Sequence, residues 1–111
     1  MTPDLALKHI WTTAGCDPTA LKSVSLAGTD PELPSVYRVG TLASATIAAA
    51  SLAAAEYWRL RTGHRQHVAV EMRRALASFR SERYLRIDDG PPPALRDPVM
   101  GFYATRDDRW I

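Results

Sequence analysis

The residues that could do chemistry are few, and their spacing says what kind is open to them. His64 and His67 lie three apart, but a metal needs three or four donors and no carboxylate or further histidine accompanies them. They are expected to serve a turn and a strand, and no metal site is expected. Cys16 stands next to Asp17 without a helix start or a basic neighbour in sequence that would activate its thiol. Being the one cysteine, it can form neither an intrachain disulfide nor a cysteine-based zinc site. Asp30 and Glu32 are carboxylates in a proline-containing loop. The remaining candidates are the arginines Arg73, Arg74 and Arg80, whose guanidinium forks suit phosphate oxygens. The competing expectation is a solvated face, or pairing with Glu71, Glu82 and other acids.

Those arginines belong to a wider excess. From Glu56 to Arg86 there are eight arginines against three glutamates, whereas the whole chain of 111 residues carries a formal charge of only +2. So small a net charge gives no ground for a polyanionic partner, and no nucleic-acid motif surrounds Trp11, Tyr57, Trp58 and Trp110. A small basic nucleic-acid-binding domain is therefore the least favoured function, and nucleic acid is not an expected partner.

The elements that would position these residues follow from pattern. Asp4 to Ala14 can form a short helix, with Pro3 at its start, Leu5, Ile10 and Trp11 as apolar contacts and Gly15 as a stop. Asp17-Pro18 begins a second short helix through Ala20 and Leu21, and Ala27 to Ser35 is a loop. Thr41 to Thr62 is the clearest helix, alanine-rich and closed by Gly63; its larger apolar contacts are expected from Leu42, Ile47, Leu52, Tyr57, Trp58 and Leu60. Its apolar part is 15 residues, Thr41 to Ala55, shorter than the roughly 20 that span a bilayer, so a buried soluble helix is expected and no membrane.

His67 to Val70 reads as a strand, since valines alternate with smaller or polar residues. From Glu71 the period changes: Met72, Leu76, Phe79 and Arg83 mark one face of a helix running to about Leu85. Asp88 to Pro98 is a loop with four prolines, and residues 102–105 form a strand, followed by a turn at 106–109 and a returning strand at Trp110. The expected fold class is therefore α/β and helix-rich. Residues 1–33 form a helical segment distinct from 34–111. A composition of 46% hydrophobic and 23% charged residues is that of a folded protein, and the N-terminus lacks the basic and apolar regions of a signal peptide, so a cytoplasmic location is expected.

The order of the motifs Trp58-Arg59-Leu60-Arg61-Thr62-Gly63-His64-Arg65-Gln66-His67-Val68, Val70-Glu71-Met72 and Tyr103-Ala104-Thr105-Arg106-Asp107-Asp108-Arg109-Trp110-Ile111 resembles the family III CoA-transferases. That group contains the formyl-CoA and carnitine CoA-transferases and the α-methylacyl-CoA racemases. The resemblance covers about Pro34 to Ile111. It implies exchange of CoA between an acyl-CoA and a carboxylic acid, coenzyme A as cosubstrate, Arg73, Arg74 and Arg80 as contacts for CoA phosphates, and dimers of interlocked chains.

The chain departs from the family in two ways. Its first 33 residues do not match the family's opening strand and glycine-rich helix. The family's nucleophilic aspartate, counted back from Thr62, falls on Arg38-Val39-Gly40-Thr41, where there is no acid, so no catalytic residue is assigned. The resemblance thus points to a segment or degenerate copy inactive alone, associating with itself or with a larger transferase subunit. The alternative is a non-catalytic interaction module that binds a partner subunit through the hairpin edge or the arginine face.

Overall fold

A computed structural model describes residues 1–90 and 99–110, the Glu82 side chain excepted. The chain forms two compact units, Met1–Arg80 and Ser81–Ile111, which are taken separately. Helix α1 (Pro3–Thr13) starts on Thr2, whose hydroxyl accepts from the Leu5 N–H, with Pro3 and Asp4 in its first turn. Its inward stripe is Pro3, Leu7 and Trp11, with Ile10 half-buried. Leu5, expected inside, is 58% exposed, because the four-residue steps from Pro3 to Trp11 place it on the other face. The Trp11 indole N–H donates to the Asp17 carbonyl at 2.8 Å, and Asp17 in turn caps a 3-10 turn, Pro18–Ser23, by accepting from the Thr19 N–H.

Strand β1 (Val24–Ala27) follows, where the sequence suggested no strand. After a loop comes α2 (Val39–Thr62), then β2 (Val68–Glu71) and α3 (Met72–Ser78). β1 and β2 pair in parallel in the register Val24↔Val68 through Ala27↔Glu71, so β1, α2 and β2 make a strand–helix–strand unit, the usual way of joining parallel neighbours. Val24, Leu26, Val68 and Val70 turn toward the interior, while Ser25, Ala27, Ala69 and Glu71 line an exposed face.

The buried face of α2 is built from its small residues: Gly40, Thr41, Ala43, Ser44, Ala45, Ala48, Leu52 and Ala55. Of the large residues expected to pack, Leu52 is fully buried and Ile47 half-buried, whereas Leu42, Tyr57, Trp58 and Leu60 are 48–73% exposed. Alanines let α1 and α3 come close, and that approach leaves no room for larger groups between them. The helix ends at Gly63, whose left-handed backbone (φ +78°) is a glycine C-cap. By length and composition α2 could cross a membrane, with a mean hydropathy of 1.3, but 44% of its most apolar window is buried within the fold. That is compatible with the core helix of a small soluble protein.

Helix α3 is half as long as expected. Met72 and Ala75 are buried, but Phe79 is 54% exposed and terminates the helix as its C-cap. The Ser78 hydroxyl bonds back to the Arg74 carbonyl. After Leu76 the large apolar residues Phe79, Tyr84, Leu85 and Ile87 are each more than half exposed, so a longer helix would gain little packing.

In the second unit a short 3-10 turn covers Ser81–Arg83. The expected strand at 102–105 reduces to one antiparallel bridge, Ala104 with Trp110. The turn between them is held by Thr105, whose N–H donates to the Arg109 carbonyl. Bonds from Arg109 and Thr105 hold the Asp107 carboxyl below its ordinary pKa. The proline-rich stretch of the expected 88–98 loop, residues 91–98, and Ile111 lie outside the described residues.

Candidate functional site

The first residues of α2 are where the family resemblance looks for a nucleophile, and the fold brings a carboxylate to them from another part of the chain. Asp30, in the loop after β1, accepts from the Gly40 N–H through Oδ1 at 3.1 Å and from the Thr41 N–H through Oδ2 at 2.7 Å. Arg38, the residue preceding the helix, makes no side-chain cap of its own, so Asp30 satisfies the unpaired N–H groups of the first turn. Desolvation is the largest influence on this carboxyl and works to raise its pKa. The Thr41 hydroxyl and N–H, the Gly40 N–H and the Arg38 charge outweigh it, and the pKa lies below the ordinary 3.8. A carboxylate with both oxygens engaged and its basicity lowered is a cap, and a weak nucleophile.

Glycine is required here on contact grounds. A Cβ on Gly40 would sit 2.6 Å from the Asp30 carboxylate and run into the Met72 side chain, and one on Gly28 would meet the Met72 Cβ at 2.6 Å. Met72 thus locks the end of β1, the start of α2 and the start of α3 together.

The arginines do not converge. Arg73 pairs with Glu32 at 3.1 Å across the loop, and Arg74 pairs with Glu71 at 3.2 Å. Both guanidinium groups are largely exposed, so these pairs add little stability. Arg80 lies beyond the end of α3, in exposed chain, rather than on a shared helical face with the other two. At the far end of α2, Glu56 bridges Arg59 at 2.7 Å and Arg65 at 3.8 Å, and Arg61 stacks over Tyr57.

The histidines separate as well. His64 is in the turn after α2, and the His67 Nε2 is 3.0 Å from the Ser25 Oγ across the open sheet face. A serine–histidine contact is the first half of a nucleophile–base pair. Among the described residues no carboxylate orients the other ring nitrogen, and both side chains are exposed, so the geometry is that of a cross-strand hydrogen bond. Among the described residues no group of three or more His, Cys, Asp or Glu could hold a metal. Cys16 is half-buried beside the Ala14 carbonyl.

Two of these features were not legible in sequence. Asp30 caps a helix that begins nine residues later, outside the local spacing of a capping box, and Ser25 and His67 meet only because β1 and β2 pair. No known protein family, curated protein or solved structure matches the chain.

Proposed function

We propose that this chain is a scaffold segment of a family III CoA-transferase-like protein, serving exchange of CoA between an acyl-CoA and a carboxylic acid but not carrying it out alone. The observation that carries this reading is the parallel pairing of β1 with β2 around α2. It supports the reading at the level of architecture: a strand–helix–strand unit of the kind a Rossmann-like lobe is built from is present, preceded by α1 and a 3-10 turn.

The absence of activity alone is supported by the state of Asp30. The transferase reaction needs a carboxylate free to attack a thioester beside donors that stabilise the oxyanion. At the start of α2 the Gly40 and Thr41 N–H groups are already occupied by the Asp30 carboxylate. In this reading coenzyme A is the cosubstrate, Arg73, Arg74 and Arg80 are the residues offered to its phosphates, a larger transferase subunit or a second copy supplies the nucleophile, and the protein works in the cytoplasm.

Incubating the purified chain with an acyl-CoA and a free carboxylic acid, and resolving the CoA esters by chromatography, tests the reading. No exchange is expected from the chain alone. Turnover by the chain alone would contradict it.

A further inference from the structure

Helix α2 buries one side against its unit and leaves the other uncovered. Leu42, Thr46, Ala50, Ala53, Tyr57 and Arg61 fall within an arc of about 100° at 3.6 residues per turn, turned away from the buried Leu52. Leu42, Tyr57 and the adjoining Leu60 are 58–73% exposed, and Ala50 and Ala53 between them are exposed as well. An alanine side chain is a single methyl group, so it meets solvent only where no neighbouring element rises above the helix. The centre of this face is therefore open to close approach by another helix. From Leu42 to Leu60 the face carries no charge, and its hydroxyls have partners within the helix. That of Thr46 donates to the Leu42 carbonyl at 2.9 Å, and that of Tyr57 accepts from Arg61 at 3.1 Å, with the guanidinium over the ring. Such a face can enter a contact without leaving a buried hydroxyl unpaired.

The spacing says what covers it. Positions 42, 46, 50, 53, 57 and 61 are separated by four, four, three, four and four, a series that reads the same in both directions about a midpoint between Ser51 and Leu52. A two-fold contact needs a patch that is complementary to itself. Two α2 helices laid antiparallel about that midpoint set Ala50 on Ala53 of the second copy, Tyr57 on Thr46 and the Arg61 stem on Leu42. Small meets small at the centre, where crossing helices come closest, and the large side chains fill the space toward the ends, where they diverge. A parallel pairing would oppose each residue to itself, Arg61 to Arg61 included, and would align the two helix dipoles. An unrelated partner or a lipid surface gains nothing from this symmetry.

We propose that the outward face of α2 is a self-association surface, on which α2 of a second copy of this chain docks antiparallel and buries Ala50, Ala53 and Tyr57 in a two-fold contact. The face is about 28 Å long and roughly 10 Å wide, well below the roughly 800 Å² that each partner gives to a standard interface. The dimer is therefore weak and reversible, with a Kd of about 0.01–1 mM. It is a side-by-side contact of two folded units, distinct from interlocked chains. The inference does not depend on the CoA reading, and its test contains no CoA.

Analytical ultracentrifugation of the whole chain from micromolar to millimolar concentration tests the proposal, and a monomer–dimer equilibrium is expected. Ala50→Lys or Ala53→Glu alone should weaken it at least tenfold, because each buries an unpaired charge. The double variant Ala50→Lys/Ala53→Glu should recover most of that loss, since in the antiparallel register each new lysine faces a new glutamate of the second copy. Phe79→Ser, at an exposed apolar site at the end of α3, should leave the equilibrium unchanged. Circular dichroism checks that the variants keep the native helix content. A chain monomeric at millimolar concentration, association indifferent to Ala53→Glu, or a double variant as dissociated as the single ones would each overturn the proposal. So would a monomer that adsorbs to phosphatidylcholine vesicles and loses that adsorption on Ala53→Glu, which would assign the face to a lipid surface.

Discussion

Removing the Asp30 carboxylate takes the acceptor from two backbone N–H groups at once. Asp30→Ala is therefore expected to lower stability at pH 7 by about 1–2 kcal/mol, the range of a lost helix cap. Because the folded pKa lies below the ordinary value, the contribution is present above about pH 4 and is lost as pH falls through the folded pKa. Urea unfolding should show a gap between wild type and Asp30→Ala at pH 7 that narrows by pH 3. An equal gap at both would mean that the charge plays no part. Gly40→Ala is expected to cost about 1–3 kcal/mol through overpacking against Met72 and the Asp30 carboxylate, measured in the same way. At this scale the sequence was only partly legible: Gly63 as a helix stop is a local signal, but a cap brought in from a distant loop leaves no local trace.

At the scale of elements, α2 inverts the naive assignment of large residues to the core. Leu52 is its one large, fully buried side chain, with Trp11 and Ala20 around it. Leu52→Ala is expected to cost about 2–5 kcal/mol, whereas Leu60→Ala, at a position 73% exposed, should stay within about 0.5 kcal/mol. Thermal denaturation of the two variants checks the contrast, and similar losses would mean that the outer face of α2 is packed. The long helix and the β2 strand were legible because alanine content and valine alternation are strong local signals. β1 was not, since Val24-Ser25-Leu26-Ala27 offers only two inward residues and becomes a strand through pairing with β2. α3 was read too long for the opposite reason: the spacing of Phe79 suited a helix, but its side chain is more than half exposed in the fold.

At the scale of the whole molecule, the described residues bring together a parallel strand–helix–strand unit, a helix start occupied by the chain's own carboxylate, and a two-stranded sheet. Each is consistent with a scaffold that other residues complete, and a helix-rich α/β class was readable from element order alone. The pairing of β1 with β2 was not, since it joins residues more than forty apart. The most direct measurement is calorimetric titration of the purified chain with coenzyme A at low salt. The CoA-transferase reading predicts saturable heat that decreases at least several-fold in the Arg73→Ala/Arg74→Ala double variant, with no exchange chemistry. No heat with coenzyme A at millimolar concentration would contradict it.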